Sequence, residues 1–281
     1  MSTPKLLLLF AVPLLLVIVG ALVFVVPNIN QGPPDPSAGM EQLQSTGSCP
    51  KCDLRTARLR DMDMSDANLS GAVLREADLK YARFVNSDFS GADLQRAEME
   101  EGAFTGSTFA GAKLRNADIE KGSAVGGNFS GADLRDADME EADLKNANFA
   151  DADMRGVTLK RATLAGAVFE KAKLNDANLE RTKAQAADFS GADLADADLD
   201  RTQAANATFI DATLSNARIS HADLSGARFD GASLSDATLQ RTRISGADFS
   251  GATGLTQDML STACGDASTK LPDGLTVADC Q

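Results

Sequence analysis

The sequence predicts an all-β solenoid of about ten four-sided coils, preceded by a transmembrane helix and closed by a short C-terminal helix. Three observations carry this. Large apolar residues recur every fifth position from Leu54 to Phe249, Phe recurs every twentieth from Phe89 to Phe249, and the run Leu6 to Val26 carries no charge. Composition agrees: 281 residues hold no Trp, one Tyr and 13 Phe, too few bulky aromatics for a conventional mixed core. A net charge of −13 excludes a nucleic-acid binder, which needs a basic face.

The elements follow in order. Residues 1–5 form a short N-terminus carrying Lys5, and 6–26 form the hydrophobic segment. At about 1.5 Å per residue it covers the ~30 Å hydrocarbon core, so the chain is expected to reach the membrane through this helix. A cleaved signal peptide has a shorter apolar region and a small-x-small site. Here Gly20 and Ala21 are followed by five more apolar residues, so a signal-anchor is preferred, with secretion after cleavage as the alternative. Lys5 precedes the span and no cation follows until Lys51, which places everything after Val26 outside the cytoplasm. Residues 27–48, with Pro33, Pro34 and Pro36, read as an extended linker.

Residues 49–253 carry the repeat. Forty consecutive pentapeptides centre on Leu54 to Phe249 without insertion, and only Ala124, Ala184 and Ala204 break the large-residue rule. Two residues before each centre stands Ala in 29 of the 40 units. Neither a 3.6-residue helix nor a two-residue strand keeps such a lattice in phase. Because Phe repeats every twenty residues, four pentapeptides make one coil, and the ten coils stack to a rod roughly 45–50 Å long.

Runs such as Ala132-Asp133-Leu134-Arg135-Asp136 and Ala192-Asp193-Leu194-Ala195-Asp196 resemble the A(D/N)LXX units of bacterial pentapeptide-repeat proteins. The resemblance implies a right-handed quadrilateral β-helix with the central Leu or Phe and the preceding Ala inside. Its best understood members are acidic DNA mimics acting on type II topoisomerases, so modulation of such an enzyme is the alternative function. Against it stand the membrane segment and the absence of loop insertions.

Residues 254–281 read as cap and tail, with Thr256 as N-cap of a helix to Cys264, Asp258 in its first turn, and Gly265 as its stop. Of the cysteines, Cys49 and Cys52 precede the first coil, and Cys264 and Cys280 follow the last. The rod between the pairs excludes one tetracysteine zinc site. A disulfide between Cys264 and Cys280 suits an oxidising compartment, and Cys49 and Cys52 read as structural thiols or a local disulfide. His221 lies at an outward corner, and no nucleophile, base and orienter assemble around it, so no enzyme, cofactor or metal is expected.

Surface charge is the remaining signal. The face centred on Met99, Ile119 and Met139 carries Glu98, Glu100, Glu101, Asp118, Glu120, Asp138, Glu140 and Glu141 against Lys121. These eight form the candidate interaction patch, suited to a protein partner with a basic surface. Residues 102–111 and 122–131 are charge-free. The expectation is a non-catalytic, rigid interaction or scaffolding module tethered to a bacterial inner membrane, its repeats on the periplasmic side.

Overall fold

The structure, a computed structural model, describes residues 36–280. The apolar segment 6–26 lies outside the described residues, and among those described no helix is long and apolar enough to cross a membrane.

The body is a four-sided parallel β-solenoid. Bridges join residue i to residue i+20 without exception from Ser48–Asn68 to Ser233–Thr253, four per coil. Each side makes one bond up and one bond down: Leu54 N donates to Val73 O at 2.8 Å, and Val73 N donates to Cys52 O at 2.8 Å. A β-turn makes each corner, as where Ala57 N donates to Leu54 O at 3.1 Å, with the third turn residue in the left-handed region (Thr56, φ 56°).

The sequence motif has a local cause. The Asp or Asn before a centre points outward and accepts the N–H two residues on, as Asp88 does from Ser90 at 2.8 Å and Asn148 from Ala150 at 3.0 Å. Where Asp or Asn stands, this Asx turn pins the approach to the corner. The Ala before it faces inward because only a small side chain fits beside the next centre.

Inside, every centre is buried except Met64, which is half-buried. The Phe rings from Phe89 to Phe249 stack with centroids 4.2–5.0 Å apart. Five inward small positions hold hydroxyls rather than Ala, namely Ser87, Ser107, Thr182, Thr202 and Thr242, all buried. Their hydroxyls donate to backbone carbonyls, as Thr202 Oγ1 does to Leu179 O at 2.8 Å, which removes the cost of an unpaired buried hydroxyl.

Both ends depart from the sequence expectation. The linker read to Ser48 ends early: Pro36–Thr46 forms helix α1, which buries Leu43 completely against the first coil. Gly39 permits this approach, since a Cβ there would lie 2.8 Å from the Asp53 carbonyl oxygen. At the other end helix α2 is only Gln257–Leu260, with Thr256 as N-cap as expected. Gly265 is not its stop. The chain instead returns to the stack through β1 (Cys264–Gly265), which pairs in parallel with β2 (Ala278–Asp279). Arg243 bridges Cys264 and Asp248 bridges Lys270, so the interval stretches from 20 to 21 and then 22 residues as the solenoid closes.

Candidate interaction surface

Strand stacking builds the acidic face. Glu98, Asp118 and Asp138 are successive partners in one ladder, so their carboxylates sit one strand spacing apart. Asp118 and Asp138 also serve as Asx acceptors, taking the N–H of Glu120 at 3.1 Å and of Glu140 at 2.9 Å. Their carboxylates are therefore held close to the backbone, while Glu98, Glu100, Glu101, Glu120, Glu140 and Glu141 project from the strand and corner.

The structure brings these eight together and corrects their charge balance. Lys80, one coil below, reaches Glu98 at 3.3 Å and Glu100 at 3.0 Å. Arg161, one coil above, reaches Glu140 and Glu141, each at 3.2 Å, and Lys121 pairs with Glu120 at 2.5 Å. Three cations thus meet five of the eight carboxylates. Asp118, Asp138 and Glu101 form no ion pair among the described residues. Burial pushes the Asp118 carboxyl up to about 6, and the hydrogen-bonded Glu100 carboxyl beside it adds to the rise. Glu100 moves the other way, held below the usual range by its hydrogen bond from Lys80.

Elsewhere, Arg–Asp pairs run up the adjoining side, as Arg135 with Asp133 at 2.6 Å and Arg155 with Asp153 at 2.7 Å. His221 Nδ1 lies 3.3 Å from the nearly buried Asp200 carboxylate, a surface contact of hydrogen-bond length. The cysteines form two disulfides, Cys49–Cys52 with Cα atoms 5.4 Å apart and Cys264–Cys280 at 4.8 Å. The first lies at the base of the coil stack beside α1, and the second ties the tail to β1. Among the described residues, no group of three His, Cys, Asp or Glu side chains is placed to hold a metal ion.

A parallel solenoid built from five-residue units, four to a coil, defines a class of repeat protein. The family model described as pentapeptide repeats (8 copies) matches residues 52–91, 87–122, 125–161, 152–191, 162–201, 187–226 and 217–253, and the chain belongs to that family. Among solved structures it is similar to HetL, a pentapeptide repeat protein involved in heterocyst differentiation regulation in the cyanobacterium Nostoc sp. The identity is 24%, over 74% of this chain and 94% of HetL, with a TM-score of 0.45. It is also similar to full-length QnrB1, a plasmid-mediated fluoroquinolone resistance protein, at 17% identity over 79% of this chain and 89% of that one, TM-score 0.37. A pentapeptide repeat protein of the Arabidopsis thaliana thylakoid lumen is 25% identical over 50% of this chain and 76% of its own, TM-score 0.16. No curated protein matches the chain.

Proposed function

We propose that the chain is a non-catalytic, rigid interaction module, tethered by residues 6–26 to a bacterial inner membrane with its repeats on the periplasmic side. The observation that carries the interaction reading is the gathering of eight carboxylates on one face of a rod, three of them without an ion pair among the described residues. Such a face suits a protein partner with a basic surface, which relieves the remaining repulsion. Two disulfides and an uncharged 21-residue segment support the location. Secretion after cleavage of that segment gives the same compartment without the tether.

Alkaline phosphatase fused after Gln281 tests the location: activity in intact cells supports it, and an inactive fusion refutes it. The face is tested by converting Glu100, Glu101, Glu140 and Glu141 to Gln, which should abolish salt-sensitive capture of a basic protein from a membrane extract. Unchanged capture removes the face from the proposal.

Modulation of a type II topoisomerase by DNA mimicry is the second reading. Residues 53–253 favour it with 34 Asp and Glu against 24 Lys and Arg. A mimic must work in the cytoplasm, so the same fusion separates the two.

A further inference from the structure

The four corners of the rod make the same turn, yet they do not use the same residues. Each contributes ten left-handed positions, with φ between 53° and 71°. L-residues other than Gly, Asn and Asp adopt this region at a steric cost. The corners at 51–231, 56–236 and 66–246 comply, with Gly, Asn or Asp at eight, seven and nine of their ten positions. The corner at 61–241 has one, Asp61. Its other nine places hold long or bulky side chains that the turn does not favour, and strain retained in one place and avoided in three equivalent ones points to a use outside the fold.

That corner is also polar from end to end. Its N-terminal half carries Asp61, Glu101 and Glu141 and borders the acidic face, and its C-terminal half carries Arg161, Arg181, Arg201 and Arg241. The shared φ sends these side chains out in register, one strand spacing apart. Glu180 and Asp200 brace Arg181 and Arg201 at 3.3 and 2.6 Å without covering them. The side chains of Arg161, Arg181 and Arg201 remain 45–46% exposed, with guanidinium donors to spare.

We infer that this corner is a self-complementary edge on which a second copy of the chain docks antiparallel. The inference rests on the interaction reading above and names the basic partner: the other copy's arginine ridge. A two-fold axis between the coils of Glu141 and Arg161 sets Glu141, Glu101 and Asp61 against Arg161, Arg201 and Arg241 of the second copy, each contact occurring twice. Tyr81 then meets His221. One rung opposes Lys121 and Arg181, and each keeps its own carboxylate, Glu120 at 2.5 Å and Glu180 at 3.3 Å. A parallel, staggered pairing would also match charge, but it leaves an open edge on each copy and does not close. A corner-to-corner contact is narrower than the ~800 Å² per partner of a standard interface, so the pair is reversible and sensitive to salt.

Sedimentation equilibrium of the purified full chain in detergent tests this. The expected protein mass is twice 29.4 kDa at ~10 mM salt, falling to 29.4 kDa at ~1 M, where the Debye length shrinks to ~3 Å. The variants Glu101→Arg/Glu141→Arg and Arg161→Glu/Arg201→Glu, checked for native circular dichroism, should each be monomeric at low salt. Mixed one to one, they should pair, because the reversals restore every one of those contacts. A wild type that stays monomeric at low salt, a reversal variant that still dimerises, or folded variants that fail to pair on mixing would each overturn the inference. Loss of capture from a membrane extract leaves this measurement untouched, so the two readings fail separately.

Discussion

Two interior columns of the same rod solve the packing problem differently. The Phe column repeats one ring nine times from Phe89 to Phe249, and its inward small positions stay small. The column running Met64, Phe84, Phe104, Ala124, Leu144, Leu164, Ala184, Ala204, Leu224 and Ile244 changes size along its length. Where it shrinks to Ala184 and Ala204, the small positions beside it grow to Thr182 and Thr202, both buried, with Thr182 Oγ1 donating to Thr202 Oγ1 at 3.3 Å. At these two coils a larger residue at the small position accompanies the smaller centre, whereas Ala124 follows Gly122, so the exchange is local to coils 182–204 and not a rule of the column.

The largest expected effect is in the uniform column. Phe169→Ala should cost about 3–5 kcal/mol in urea unfolding, because stacked neighbours above and below hold the backbone open around the void. A cost near 1 kcal/mol would mean that the column collapses and that its uniformity is not needed.

The covalent ends come next. Reducing Cys264–Cys280, which closes a 16-residue separation, should lower stability by about 3 kcal/mol, and Cys49–Cys52, separated by three, should matter less. Alkylation without reduction should label no cysteine, and mass spectrometry checks this directly.

The compensated column gives a sharper test. Ala184→Leu alone should cost about 1–3 kcal/mol by overpacking. Combined with Thr182→Ala it restores the common Ala-x-Leu pair, and the double variant should lie close to wild type, a coupling of the size seen for contacting residues. Additive costs would show that the two positions do not share a volume.

A smaller effect is electrostatic. Asp118, raised to about 6 from an ordinary value of 3.8, binds its proton more tightly folded than unfolded. Its contribution therefore favours the fold at low pH and is lost as pH rises through about 6. Asp118→Asn should raise the melting temperature slightly at pH 7 relative to wild type, with the gain vanishing near pH 4; a pH-independent difference refutes the shift. Smallest of all, Ser190→Ala on the outer face should cost under ~0.5 kcal/mol.

Most of the rod was legible because its order is periodic. Counting by five finds the centres and counting by twenty finds the coil, and the bridges follow that count through Ser233–Thr253. Thr256 was legible as an N-cap because its chemistry is local. Helix α1 was not: its sequence Pro-Ser-Ala-Gly-Met-Glu-Gln-Leu-Gln-Ser-Thr has no apolar stripe, and Leu43 earns burial only from the coil it covers. The return of Cys264 to the stack breaks the twenty-residue interval, which a periodic argument cannot anticipate. The charge balance of the acidic face was available in the sequence, since Lys80 and Arg161 lie one coil below Glu100 and one above Glu141. The corner composition was equally available, but its meaning depends on φ, which the sequence does not print.

A stack of parallel strands has no intrinsic length: each coil is a template for the next, and a free coil face would add another copy as readily as it added its own neighbour. Here α1 covers the first coil, and at the far end the widening interval leads to a two-residue terminal strand held by Cys280. The ten-coil rod is thus a polymer with both of its growth steps blocked, which leaves its sides as the surfaces for contact with other molecules.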